Sequence, residues 1–195
     1  MTQFLLLPGW HDSGPAHWQS RWPLLHGGEA RFSKLDQDDW AWPKRGDWMM
    51  NLDQALLADP VLEANPAVLL AHSLGCHLVA AWAAHSRHTH RVKGAWLVAP
   101  PDLDGPQATP ASMAPQLQGW RKVVRQRLPF PAVVLASRTD PYASFDRSQG
   151  LARDWGATLL DGGNAGHVNE ASGHGDWDEG WQWLKGCMAA WPTSP

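Results

Sequence analysis

Two cysteines, a single tyrosine and no apolar run long enough to cross a bilayer set the first limits on this 195-residue chain. Cys76 and Cys187 fall in predicted helices, with neither metal-ligand nor redox spacing. A disulfide scaffold, a zinc module and a dithiol redox centre are therefore not expected, and reduced core thiols are. Charge is sparse as well: 18% of residues are charged and the net charge is −3. No basic patch stands out, so neither nucleic acid nor an anionic membrane surface is an expected partner. The apolar run at residues 4–7 lacks a basic flank and ends at Pro8-Gly9. It is too short for a signal peptide or a membrane span, and the expectation is a cytoplasmic protein. The length suits a single domain over residues 1–195 with a full core.

Tryptophan is abundant by contrast, with 14 residues. Trp18 with Trp22, and Trp177 with Trp181, stand four apart, the spacing of helix-to-sheet packing. Trp10, Trp40 and Trp42 lie in segments rich in glycine, proline or acid, where they are candidates for lining a pocket.

Short β-rich runs alternate with longer amphipathic ones along the whole chain. Strands are predicted at 3–7, 30–34, 67–71, 94–99, 132–136 and 157–160. Helices are predicted near 15–25, 47–58, 74–86, 113–127, 144–155 and 176–190, the last opened by a capping box from Asp176 to Glu179. Near-continuous apolar strands separated by helices imply an α/β fold, a mostly parallel sheet of roughly six strands covered on both faces. Sites in such sheets lie at the carboxyl ends of the strands.

At the end of the third predicted strand stands Leu69-Leu70-Ala71-His72-Ser73-Leu74-Gly75-Cys76. A serine on a strand-to-helix joint, with small residues two places to either side, has the pattern of a nucleophile elbow. Ala71 occupies a place where glycine is more usual, so position 71 must stay small. A serine hydroxyl needs a base to take its proton, and a histidine base works best when an acid orients it. In sheet hydrolases that carry such an elbow, acid and base follow the serine in that order. Asp140 comes directly after the fifth strand, with Pro141 stiffening its turn, and His167 sits in a glycine-rich loop after the sixth. Ser73, Asp140 and His167 are the candidate triad.

Each partner has a rival. Asp102 follows the fourth strand and also suits the acid role, while Asp140 could instead cap the helix that begins near Ser144. Asp140 is preferred because its strand immediately precedes that of the histidine. Of the ten histidines, His11 and His17 precede the serine, and His72 is expected to point off the far side of the elbow. His85, His88 and His90 gather at a helix end without a carboxylate to complete a metal site, so a solvated role is expected there. No metal or cofactor is expected. Two backbone N–H groups should hold an oxyanion, one from Leu74 and the other from the loop after the first strand, best placed at Trp10.

With these residues in view, the chain resembles the small serine hydrolases of the retinoblastoma-binding protein 9 (YdeN-like) family. The likeness runs through Pro8-Gly9-Trp10, His17-Trp18-Gln19, Asp38-Asp39-Trp40, the segment from Ala71 to Cys76 and Val98-Ala99-Pro100. It continues through Ala136-Ser137-Arg138 with Asp140-Pro141-Tyr142, Gly166-His167-Val168-Asn169, Ser172-Gly173 and Gly175-Asp176-Trp177. It implies a compact three-layer α/β-hydrolase without a large lid domain, with the triad at Ser73, Asp140 and His167. Asp102 follows a proline where the family often reads Ala-Asp or similar, which leaves room for a local role. The expected activity is carboxylesterase-like hydrolysis of an ester, or of an amide as in an aminopeptidase, of a small acyl compound held near Trp40 and Trp42. The rival from another class is a binding scaffold that offers its tryptophan-rich loops to a partner.

Overall fold

The computed structural model describes residues 1–105 and 114–191. Its strands are β1 (Thr2–Leu7), β2 (Ala30–Lys34), β3 (Ala67–His72), β4 (Val92–Val98), β5 (Ala132–Ala136) and β6 (Thr158–Asp161). They form one six-stranded sheet in the order β2-β1-β3-β4-β5-β6. Every pairing is parallel. The helices are α1 (Trp18–His26), α2 (Arg45–Ala58), α3 (Val61–Ala64), α4 (Leu74–Ala83), α5 (Phe145–Trp155) and α6 (Asp178–Ala189).

Alternation along the strands decides which helix packs where. On β1, Leu5 and Leu7 face one way, toward Trp48, Leu52, Trp82 and Trp155 of α2, α4 and α5. Phe4 and Leu6 face the other way, toward Trp18, Trp22 and Trp181 of α1 and α6. The sheet thus has a core on each face, and β3, in the middle, is buried at every residue. A buried parallel strand has no polar face to show.

The tryptophans do more than fill these cores. Their indole N–H groups bind loop carbonyls: Trp18 to Val168 (3.1 Å), Trp120 to Pro43 (2.8 Å) and Trp155 to Val124 (2.8 Å). A phenylalanine would fill the same space but leave those loop oxygens unpaired.

Three local expectations need correction. The helix predicted over 113–127 is a 3₁₀ segment, Pro115–Trp120, followed by irregular chain, while residue 113 lies outside the described residues. After Gly119 the backbone is held from outside: Arg45 donates to the carbonyl of Lys122, and Trp155 to that of Val124. The capping box at Asp176 and Glu179 does not form. Asp176 binds Arg21 (2.6 Å), and Trp177, at φ 41°, opens α6 without a side-chain cap. At the helix-end histidines a carboxylate is present after all. Asp53 of α2 accepts from Trp82, Ser86 and His88 at 2.5–3.2 Å. No group of potential metal ligands occurs among the described residues.

Candidate active site

The strand order turns back between β1 and β3, so the loop after β1 and the turn after β3 open onto one crevice. Ser73 stands on that turn at φ 54° and ψ −122°, a conformation that costs a non-glycine residue on the order of 1–3 kcal/mol. Close packing holds it there. A Cβ on Gly75 would lie 2.3 Å from the carbonyl oxygen of Leu7, and one on Gly9 would lie 2.8 Å from the Cβ of Ser73. Helix α4 therefore sits tight against the end of β1. Ala71 is fully buried in register with Leu7 and Leu97, and its methyl is accommodated.

The three candidate triad side chains meet. Ser73 Oγ is 3.0 Å from His167 Nε2, across 94 residues of sequence. His167 Nδ1 lies 3.0 Å from both carboxylate oxygens of Asp140. A carboxylate only accepts, so Nδ1 carries the proton and Nε2 keeps its lone pair for the serine hydroxyl. Asp140 Oδ1 also accepts the backbone N–H of Tyr142 (2.9 Å), and the Tyr142 ring packs edge-on against His167 with centroids 4.6 Å apart.

Side-chain oxygens fasten the loop that carries His167 to the end of β5. Ser137 Oγ accepts from the N–H of Ala165 (3.0 Å), and Thr139 Oγ1 from that of Gly166 (3.1 Å). Beyond the base, Asn169 and Ser172 form a reciprocal capping box. Val168, at φ 50°, passes its carbonyl to Trp18.

His72 does not point away from the site. Its Nε2 donates to the carbonyl oxygen of His167 (2.8 Å), and its ring lies between those of His17 and His167, at 4.6 and 4.8 Å. Burial, with the neighbouring histidines adding repulsion, holds its pKa well below the usual value, so it stays neutral. The carbonyl bond links positions 95 residues apart, beyond the reach of any local pattern. Gln19 was another silent position. Its side-chain N–H group donates to the carbonyls of Leu7 (3.1 Å) and Leu70 (2.9 Å), tying β1 to β3 just below the crevice.

The rival acid is engaged elsewhere. Asp102 is buried, and its Oδ1 accepts from Arg147 (2.9 Å) and from the N–H of Gly105 (2.8 Å). The helix that follows Asp140 is capped by Ser144, not by Asp140.

A cavity of about 270 Å³ opens above Ser73. Trp10, His17, Leu74, Leu103, Leu117 and Tyr142 line it, with Asn169 and Glu170. The amides of Trp10 and Leu74 donate to no described residue, which leaves both for an oxyanion. Trp40 and Trp42 stand outside this cavity. Trp40 packs on Trp48 at 5.4 Å, and Trp42 is exposed beside Pro43 and Gly119. Trp10 explains the offset, because its indole N–H binds the carbonyl of Ala41 and itself closes the cavity wall.

A parallel sheet with a serine on a strained turn after its third strand is an α/β-hydrolase. The chain belongs to the serine hydrolase family, whose profile matches residues 4–186. It is similar to a putative YdeN-like hydrolase of Pectobacterium atrosepticum, with 26% identity over 98% of this chain and 94% of that one, at a TM-score of 0.78. The ydeN gene product of B. subtilis has 20% identity over 97% of this chain and 100% of its own, at a TM-score of 0.72. An esterase, RhEst1 from Rhodococcus sp., shares the fold at 15% identity, covering 98% of this chain and 91% of that one, with a TM-score of 0.67. No curated protein matches the sequence. No described helix is long and apolar enough to cross a membrane.

Proposed function

We propose that this chain hydrolyses an ester of a small acyl compound through Ser73, His167 and Asp140, an amide being the slower alternative. The observation that carries the reading is the unbroken hydrogen-bonded line from Ser73 Oγ through both ring nitrogens of His167 to Asp140. Ser73 attacks the substrate carbonyl as His167 Nε2 takes its proton. The oxygen that becomes negative is met by the N–H groups of Leu74 and Trp10. The tetrahedral intermediate collapses when His167 returns the proton to the leaving group, and an acyl-Ser73 ester remains. Water, deprotonated by His167, repeats the attack and frees the acid. Asp140 keeps the imidazole in the tautomer this needs.

Size supports a small substrate. A cavity of about 270 Å³ falls just below the ~300–1,000 Å³ usual for ligand sites. Leu103, Leu117 and Tyr142 offer hydrocarbon contact for the acyl group, in place of Trp40 and Trp42.

Ser73→Ala, assayed on a short 4-nitrophenyl ester, is expected to lose about 10⁴-fold or more in kcat with its thermal unfolding unchanged. Turnover at the wild-type rate would reject the reading. A fluorophosphonate probe should label wild type at Ser73 and leave Ser73→Ala unmodified. A binding scaffold has no need of an activated serine and would not react.

A further inference from the structure

His17 is the buried polar group in the cavity wall that the proposed reaction leaves unused. It is 3% exposed, and its Nδ1 accepts the N–H of Gln19 at 3.1 Å as the cap of α1. That bond fixes the tautomer. A lone pair facing an N–H is unprotonated, so the proton of the neutral ring sits on Nε2. Burial and the nearby His167 push its pKa down to about 3, which keeps the ring neutral at working pH. Nε2 is buried and meets no hydrogen-bond partner among the described residues. A buried donor without an acceptor is costly in a folded protein, and functional sites are where such a cost persists.

We propose that His17 is a specificity-determining residue whose Nε2–H donates to an uncharged oxygen acceptor on the substrate: an ether, a hydroxyl or a second carbonyl. The inference rests on the hydrolase reading above and adds the substrate class to it. An anionic acceptor is disfavoured because Asp12 and Glu170 border the same cavity. Asp12 is paired with Lys34 (2.6 Å), and the Glu170 carboxylate lies beside Gly14 of the loop after β1. Leu103, Leu117 and Tyr142, which line the same cavity, suit the hydrocarbon part of the molecule. The site would then read a small ester with one apolar and one oxygen-bearing substituent.

His17→Asn isolates the role, since the Asn oxygen retains the cap at the Nδ1 position and nothing replaces Nε2–H. His17→Gln is the converse, keeping an N–H near Nε2 and giving up the cap. The substrates are two isosteric pairs. In the first, 4-nitrophenyl methoxyacetate stands against 4-nitrophenyl butanoate; in the second, 2-methoxyethyl butanoate against butyl butanoate. The expected result is that the kcat/KM ratio of oxygen-bearing to hydrocarbon member falls about tenfold in His17→Asn for one pair, the size of one neutral hydrogen bond. His17→Gln should keep the wild-type ratio at a lower Tm. Ratios unchanged in both pairs for folded His17→Asn would mean that Nε2–H meets no substrate oxygen, and would overturn the proposal. If His17→Asn fails to fold, loss of the ratio in folded His17→Gln overturns it instead. Turnover by Ser73→Ala, or none by wild type on any of the four esters, would strike at the hydrolase reading beneath it.

Discussion

The ends of β4 and β5 are built from the same parts and arranged for different ends. Each carries a buried aspartate in the loop that follows, with a side chain only 2% exposed: Asp102 and Asp140. Near each aspartate a buried histidine from the elbow or its helix donates to a loop carbonyl at 2.8 Å, in the loop after β4 in one case and in the loop after β6 that Asp140 meets in the other. His72 holds the carbonyl of His167, and His77 holds that of Pro101. The difference lies in the donor each acid meets. Asp102 meets Arg147, which also binds Asp104 (2.6 Å), while Arg125 joins Asp104 to Asp154. A guanidinium does not give up its proton in a protein, so that network can only hold the loop in place. Asp140 meets an imidazole, whose proton can move. An acid at a strand end therefore becomes catalytic or structural through its partner, and burial alone does not say which.

The sharpest way to break this contrast is to neutralise each acid in turn. Asp140→Asn is expected to lower kcat/KM by roughly 10³–10⁴-fold on a short 4-nitrophenyl ester, by removing the group that fixes the His167 tautomer. Asp102→Asn should leave kcat/KM within about threefold, because its charge is spent on Arg147. If Asp102→Asn were the more damaging, the two acids would have to exchange roles.

The two carbonyl clamps offer the next test. His72→Phe keeps a ring in the core but leaves the His167 carbonyl unpaired. A small displacement of the base should then cost about 10–100-fold in kcat with little change in KM. His77→Phe, which frees Pro101, should spare kcat and show its effect in thermal unfolding.

Stability should rank the acids the other way round. Asp102→Asn leaves Arg147 half served and should cost about 1–3 kcal/mol by urea unfolding, more than Asp140→Asn costs.

The smallest effect is in pH. Burial lowers the His77 pKa to about 4 and the His17 pKa to about 3. In the unfolded chain these residues take up protons near pH 6.5, while in the folded protein they resist, so the unfolded state binds more protons between those limits. Folding stability should be fully present above pH 6.5 and fall as pH drops toward 4. His77→Phe, having no such proton to take up, should show a shallower fall in urea midpoint across that window.

Much of this was legible in the residues because it is local. The strand at 132–136 falls as its β-rich pattern indicates, since an apolar run between turn residues has few alternatives. Ser73, Asp140 and His167 were readable as strand-end residues in the right order, and their meeting follows from a parallel sheet that gathers its carboxyl ends on one side. Illegible were the features fixed by distance in space. Trp10, Trp40 and Trp42 look alike in sequence, yet of the three only Trp10 lines the cavity, while Trp40 packs on Trp48 and Trp42 is exposed. Residues 113–127 carry enough apolar side chains to suggest a helix. Arg45 and Trp155, far away in sequence, take their carbonyls instead. Asp176 matches a helix cap by spacing, but Arg21, 155 residues away, claims it.

The bond between Ser73 and His167 has a consequence for how the chain comes together. It joins positions 94 residues apart, and β4, β5 and β6 all lie between them in the chain. Contacts of such long range pay their loop-closure entropy before they return any stability, which makes them late events in folding. On the proposed reading, labelling of Ser73 would serve as a clock for refolding, expected to begin after helix and sheet signals have recovered.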